Sequence, residues 1–171
     1  LGEFLATVTE QAAYDRAAVA LLAALGRIPE GYIPVDVLRP LVARKDPRVI
    51  PFLVTALSAD YDQTARGAME LLAELNSPAA VEPLLAVLAD GNITRREKAA
   101  EALGKLGDAR AIPALLRAAK DDTTRVRVQA IAALAALNAR DAVPVLTPMS
   151  AEPGTRVHDA AAAALKRLGA E

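Results

Sequence analysis

Seven basic side chains cluster at the start of the second half of successive 31-residue units, ahead of Ala- and Leu-rich runs: Arg66, Arg95, Arg96, Arg125, Arg127, Arg156 and His158. Cations at the start of helices, where unpaired backbone N–H groups add partial positive charge, favour an anion such as a carboxylate or a phosphate. An acidic peptide or a phosphate-bearing partner lying along this row is one expectation. The other is that the arginines are held in internal ion pairs or stand as solvated turn residues, as is common in charged repeats.

The carboxylates raise a second possibility. Glu70 and Glu101 occupy equivalent places in adjacent units, and Glu97 and Glu101 are four apart on one helix face. Paired carboxylates can do acid–base work or hold a divalent cation. Here Arg95, Arg96, Lys98 and Lys105 surround them, and Glu101 with Lys105 makes the spacing of a helix-stabilising ion pair, so a solvated face is expected. His158 is the one histidine, so a histidine-rich metal site has no ligands, and a catalytic triad would need Ser58, Ser77 or Ser150 without any elbow or glycine-rich context. Gly104-Lys105 lacks the preceding glycine and following Ser or Thr of a phosphate loop. The expectation is a protein that is not an enzyme, with no catalytic, metal or cofactor-binding residue.

Composition sets the frame that must position these groups. The 171 residues are 53% hydrophobic but only 3% aromatic, and Ala and Leu dominate, which favours close helix-on-helix packing. A net charge of -1 draws the chain neither to nucleic acid nor to an anionic membrane, and with no Trp the basic, aromatic cleft of a DNA glycosylase is not expected. No run approaches the roughly 20 apolar residues of a membrane span. The absence of Cys leaves the chain indifferent to redox compartment, and cytoplasmic residence is expected.

Sliding the sequence against itself shows the organisation. Pro51, Pro113 and Pro144 share one frame, as do Leu53, Leu84, Leu115 and Leu146. Leu72, Leu103, Leu134 and Leu165 form a later set, followed by Asn76, Gly107, Asn138 and Gly169, the two residue types best suited to a left-handed helix exit. Each unit therefore reads as helix A, a turn, helix B and a capped exit. In the clearest copy Ile112 to Ala119 is helix A, Asp121 to Thr124 the turn, and Val126 to Leu137 helix B, whose apolar positions form a wide buried stripe. Units span 46–76, 77–107, 108–138 and 139–169 of one domain. Residues 1–45 read as a degenerate first unit with an extra helix, in one of two registers. Either Asp15 to Lys45 is a helix pair joined by the loop Ile28 to Pro34, or Asp15 to Gly26 is a helix B and Val35 to Lys45 is extra. In both, Gly2 to Glu10 supplies a separate leading helix.

The run Leu106-Gly107-Asp108-Ala109-Arg110-Ala111-Ile112-Pro113-Ala114-Leu115-Leu116, followed by Val126-Arg127, resembles the short HEAT-like repeat found in phycobilin lyase subunits and bacterial scaffold proteins. Ankyrin and tetratricopeptide landmarks are missing. The resemblance covers about Asp46 to Gly169 and implies an all-α, right-handed α-solenoid of about five HEAT-like helix pairs. It also implies a ladder between units, with Asp121 and Arg127, and Asp90 and Arg96, at the ladder positions, and Ala65 and His158 in place of the Arg in the flanking units. The branch of the family that binds iron through His-Glu pairs is excluded, since the chain holds no His-Glu dipeptide.

Function is less specified than fold. The leading expectation is a non-catalytic scaffold that docks an unknown protein or peptide on a concave face formed by helix B positions such as Glu70, Glu101, Lys105 and Gln129. Unit 46–76 is acidic and unit 108–138 basic, a dipole that could orient such a partner. A second expectation is an accessory lyase or chaperone-like subunit with a tetrapyrrole in its groove, as the resemblance implies. A third is a structural segment of a longer protein with flanking domains, since the chain begins without Met and its last helix carries the run Ala160 to Ala164 with little polar shielding except His158, Asp159, Lys166 and Arg167, and no obvious cap.

Overall fold

The computed structural model describes residues 2–27, 34–59, 61–90, 92–151 and 153–170, and within them every side chain except those of 2–9 and 90. The described residues form ten α-helices and no strand: α1 Gly2–Leu25, α2 Arg39–Ala43, α3 Ile50–Leu57, α4 Asp62–Leu75, α5 Val81–Asp90, α6 Ile93–Leu106, α7 Ile112–Ala118, α8 Thr124–Ala136, α9 Val143–Met149 and α10 Arg156–Leu168. The pairs α3/α4, α5/α6, α7/α8 and α9/α10 stack as an α-solenoid, in which the B helices pack extensively on one another, α4 on α6, α6 on α8 and α8 on α10.

Sequence period and burial coincide. Leu53, Leu84, Leu115 and Leu146 of the A helices are fully buried, as are Ala68, Ala99, Ala130 and Ala161 of the B helices. Small residues let the B helices approach closely and the leucines fill the layer between A and B. Each helix A is led in by a single 3-10 turn, whose start is capped by a side chain in three units: Asp46 accepts from the Arg48 N–H, Ser77 from that of Ala79 and Asp108 from that of Arg110. Ala139, in the fourth, has no side chain able to do this.

The exits are left-handed, with φ of 53°, 71°, 52° and 68° at Asn76, Gly107, Asn138 and Gly169. Lys45 shares the frame and the conformation, at φ 56°. The bond that closes its turn, Asp46 N–H to the Leu41 carbonyl at 3.0 Å, has its counterparts in Ala139 to Leu134 and Ala170 to Leu165. A Cβ is crowded in this region, so lysine here stores strain. Lys45→Gly is expected to raise stability by about 0.5 kcal/mol, after allowance for the lost Lys45 bond to the Glu74 carbonyl. A higher urea midpoint would show it, and a lower one would refute the strain argument.

One feature differs from the sequence expectation. Gly2 to Glu10 is no separate helix but the first part of α1, because no Pro or further Gly interrupts the chain before Gly26 and the Ala-rich stretch propagates. The short helix α2 and the 3-10 turn Val35–Leu38 before it pack on α4. The loop Ile28 to Pro34, Pro34 apart, lies outside the described residues. At the other end the polar residues of the last helix, Asp159, Lys166 and Arg167, are exposed on α10 together with Arg156. Lys166 stands in the frame of Ala73, Gly104 and Ala135, so the last described unit carries a charge where the earlier units carry small residues. α1 carries the less polar end, with Ala17, Val19, Ala20, Ala23 and Ala24 exposed.

Candidate functional site

The arginines at the B-helix starts do not form one solvent-facing row. Arg95 occupies the frame of Thr64 and Val126, which are buried, and only 19% of its side chain is exposed. Its guanidinium donates to the Leu57 and Ala59 carbonyls at the end of α3 and pairs with Asp62 at 3.2 Å, so it ties α6 to the preceding unit. A cation on the last carbonyls of a helix also complements the helix dipole.

Arg96 reaches in the opposite direction. Its Nε and Nη2 donate to the two oxygens of Asp121 at 3.0 Å each, a bidentate pair from unit 77–107 to unit 108–138, and Nη2 also meets Asp122 at 3.2 Å. Burial pushes the Asp121 carboxyl up, but the Arg96 guanidinium together with the Thr123 N–H and Asp122 outweighs it and holds the carboxyl below the usual carboxylate range. The resemblance puts Arg96, Asp121 and Arg127 at ladder positions, and the pair that forms runs between units, from Arg96 to Asp121; the Asp121 carboxylate does not bind Arg127 of its own unit. Instead Arg127 donates to the Asp121 backbone carbonyl at 3.0 Å and to the Thr124 hydroxyl at 3.2 Å, because the Asp121 carboxylate is turned to the unit before. Asp90, the expected partner of Arg96, has a side chain outside the described residues.

Of the remaining arginines, Arg125 pairs with Glu97 across units at 2.5 Å. That Glu97 oxygen is buried and has no partner in hydrogen-bond geometry, so the contact is a charge pair rather than a directed bond. Arg66 is exposed beside Gln63, and Arg156 is exposed at the start of α10. His158 donates its backbone N–H to the Thr155 hydroxyl, and its Nδ1 is buried without a hydrogen-bond partner.

The face of the B helices has its own pattern. On α6, Glu101 binds Lys98 at 2.7 Å and Lys105 at 2.8 Å, and these two cations depress its carboxyl. Glu70 and Glu74 on α4 act electrostatically on Lys105, raising it together with Glu101. One unit further the frame positions of Glu101 and Lys105 become Ala132 and Ala136, both exposed, beside half-buried Gln129. On α10 they become Ala163 and Arg167. The face thus passes from acidic, through a zwitterionic cluster, to small and apolar on α8, and α10 sets a cation, Arg167, beside Ala163. Among the described residues no group of three or more His, Asp or Glu could hold a metal ion, and no helix is long and apolar enough to cross a membrane.

A cluster that the period did not single out lies at the first unit. The Asp46 side chain is 6% exposed and accepts from Arg48 Nε and Nη2, the Arg48 N–H and the Tyr14 hydroxyl, while Arg48 also binds Asp15 on α1. Arg44 stacks on Tyr14, 4.2 Å from the ring centre. Asp108 and Arg110 repeat the Asp-x-Arg arrangement two units later, and that recurrence was the available sequence clue. The Arg48 guanidinium, against the effect of burial, holds the Asp46 carboxyl at about 2. Because the folded value lies below the ordinary carboxylate value, the stabilisation is present above about pH 4 and is lost as pH falls toward 2, an effect of roughly 2 kcal/mol. Urea unfolding of the parent and Asp46→Asn at stepped pH should show the difference between them shrinking through that window. A difference independent of pH would contradict it.

Helix pairs stacked through their B helices, proline-started A helices, left-handed exits and an inter-unit Arg–Asp pair together define a HEAT-type repeat protein. The chain belongs to the HEAT-like repeat family: the HEAT repeats model matches residues 50–134 and the PBS lyase HEAT-like repeat model residues 126–151. Among solved structures it is similar to a chain in the complex of CpcE and CpcF of phycocyanin lyase from Nostoc sp. PCC7120, with 27% identity and a TM-score of 0.66. The match covers 80% of this chain and 58% of that one, so this chain spans little more than half the length of its solved relative. No curated protein matches it.

Proposed function

We propose that the chain is a binding scaffold that docks a protein or peptide along its B-helix face. The observation that carries this reading is the graded face itself: Glu70 and Glu74, then the Lys98–Glu101–Lys105 cluster, then exposed Ala132, Ala136 and Ala163. Small residues admit close approach of a partner helix, while flanking charges set its direction. That the solved relative is part of a two-protein complex supports a protein as the partner. Arg66 and Arg156 are exposed cations of the B-helix starts at the rim of this surface, and Arg125, though paired with Glu97, is exposed beside them.

The test is quantitative recovery of bound protein by immobilised parent, Ala132→Glu/Ala136→Glu and, on another face, Arg117→Glu. All three sites are exposed, so the fold is retained. A recovery at least tenfold lower for the double variant alone supports the reading, and equal recovery by all three removes it.

The similarity to the CpcE and CpcF complex favours a second reading, an accessory lyase-like subunit. A tetrapyrrole needs a concave and mainly apolar site. The grooves of about 510, 560 and 500 Å³ on this chain each include two or more charged side chains. Titration with a bilin, followed by its visible absorption, would separate the readings: saturable stoichiometric binding favours the lyase-like role.

A further inference from the structure

Two of the grooves are copies of one another. The first, about 510 Å³, lies between units 77–107 and 108–138 and holds Ala89, Arg96, Arg117 and Ala118. The second, about 500 Å³, lies one unit on and holds Lys120, Arg127, Pro148 and Met149 at the corresponding frame positions. Their shared shape follows from the repeat, but their charge does not. In the first groove the cations Arg96 and Arg117 are balanced by Asp121 and Asp122, both of which bind Arg96. The second has Lys120 and Arg127 and no acid among its described lining residues.

Arg127 differs from Arg96 in what it holds. Its described partners are one carbonyl and one hydroxyl, whereas a guanidinium offers five donors in a fork suited to a carboxylate. The frame position of Asp122 is Pro153, which has no carboxylate, and that of Asp121 is Glu152, outside the described residues. Thr124 begins α8 and Thr155 caps α10, so two helix N-termini add partial positive charge to the same groove. Half-buried Met149 and Val157 supply an apolar floor.

We propose that this groove receives an acidic side chain from a segment of a partner protein, an Asp or Glu flanked by an apolar residue, seated on Arg127 and Lys120 as Asp121 is seated on Arg96 within the chain. The occupant is a carboxylate because the chain's own first groove shows that chemistry on the same scaffold. The inference rests on the scaffold reading only in taking a protein as occupant; the groove is distinct from the B-helix face, so either can fail alone.

Fluorescence anisotropy with a labelled dodecapeptide carrying a central Asp-Asp pair flanked by Leu, and its Asn-Asn counterpart, tests it. Both are titrated into the parent and into Glu152→Gln, so that the Glu152 carboxylate cannot mask the site. The expected result is saturable binding of the Asp-Asp peptide at least tenfold tighter than the Asn-Asn peptide in one or both backgrounds, with that preference lost in Lys120→Glu and in Arg127→Gln. Lys120 is exposed, so its variant remains informative if Arg127→Gln unfolds. Absence of preference in both backgrounds, or a preference that Lys120→Glu leaves unchanged, overturns the proposal.

Discussion

Truncation of Leu134 to Ala is expected to lower the free energy of unfolding by about 4 kcal/mol, seen as a reduced urea midpoint. Leu134 is fully buried on α8, between α6 and α10, in the layer it shares with Leu72, Leu103 and Leu165. Its surroundings are helices already in close contact through alanines, which cannot move inward to fill the space. Leu165, the equivalent residue of the last unit, is 7% exposed and has no further unit beyond it among the described residues. The same truncation there is expected to cost about 2.5 kcal/mol, at the low end for a buried leucine. In a stack, stability is close to a sum of unit and interface contributions, and an inner residue supports two interfaces where a terminal one supports one. Equal losses at 134 and 165 would contradict that account.

Gly104→Ala is expected to destabilise the chain by about 2 kcal/mol, although helix propensity alone favours alanine by roughly 1 kcal/mol. A Cβ at 104 would lie 2.9 Å from both the Cα and the Cβ of Ala133, so α6 and α8 would have to separate. Neither opposing atom is the end of a flexible side chain. Gly67→Ala is the informative comparison: its Cβ would meet only the Val35 Cγ2, at 2.7 Å, a contact that a rotation of Val35 can relieve in part. A smaller loss is expected there, and thermal or urea unfolding of both variants measures it. A stabilised Gly104→Ala would mean that the two helices are not held at this separation.

Much of the architecture was legible in the residues. Leucine and alanine recurring every 31 positions required stacked helix pairs, because one pair cannot cover its own apolar stripes. Asn76, Gly107, Asn138 and Gly169 marked the exits, since few other residues tolerate positive φ. Lys45, a fifth exit, bears no such mark in the residue type, because lysine carries no preference for positive φ. The charged residues were less legible. Arg95 read as a surface cation like Arg66, yet it sits in a buried frame and its head reaches carbonyls of α3. Lys98, Glu101 and Lys105 did lie together as the spacing indicated, since i, i+3 and i, i+4 neighbours are fixed by the helix itself.

The sequence by itself determined the period, the buried faces and the turning points, because each depends on local stereochemistry and on which side chains leave water. Only the tertiary structure decided which acid each arginine meets. Arg96 reaches forward 25 residues to Asp121, and Arg95 reaches back 33 to Asp62. Adjacent residues of one helix thus serve opposite neighbours, because successive positions on a helix point about 100° apart and the two units flank it on different sides. Those directions leave Arg127, alone of the two ladder arginines, without a described carboxylate.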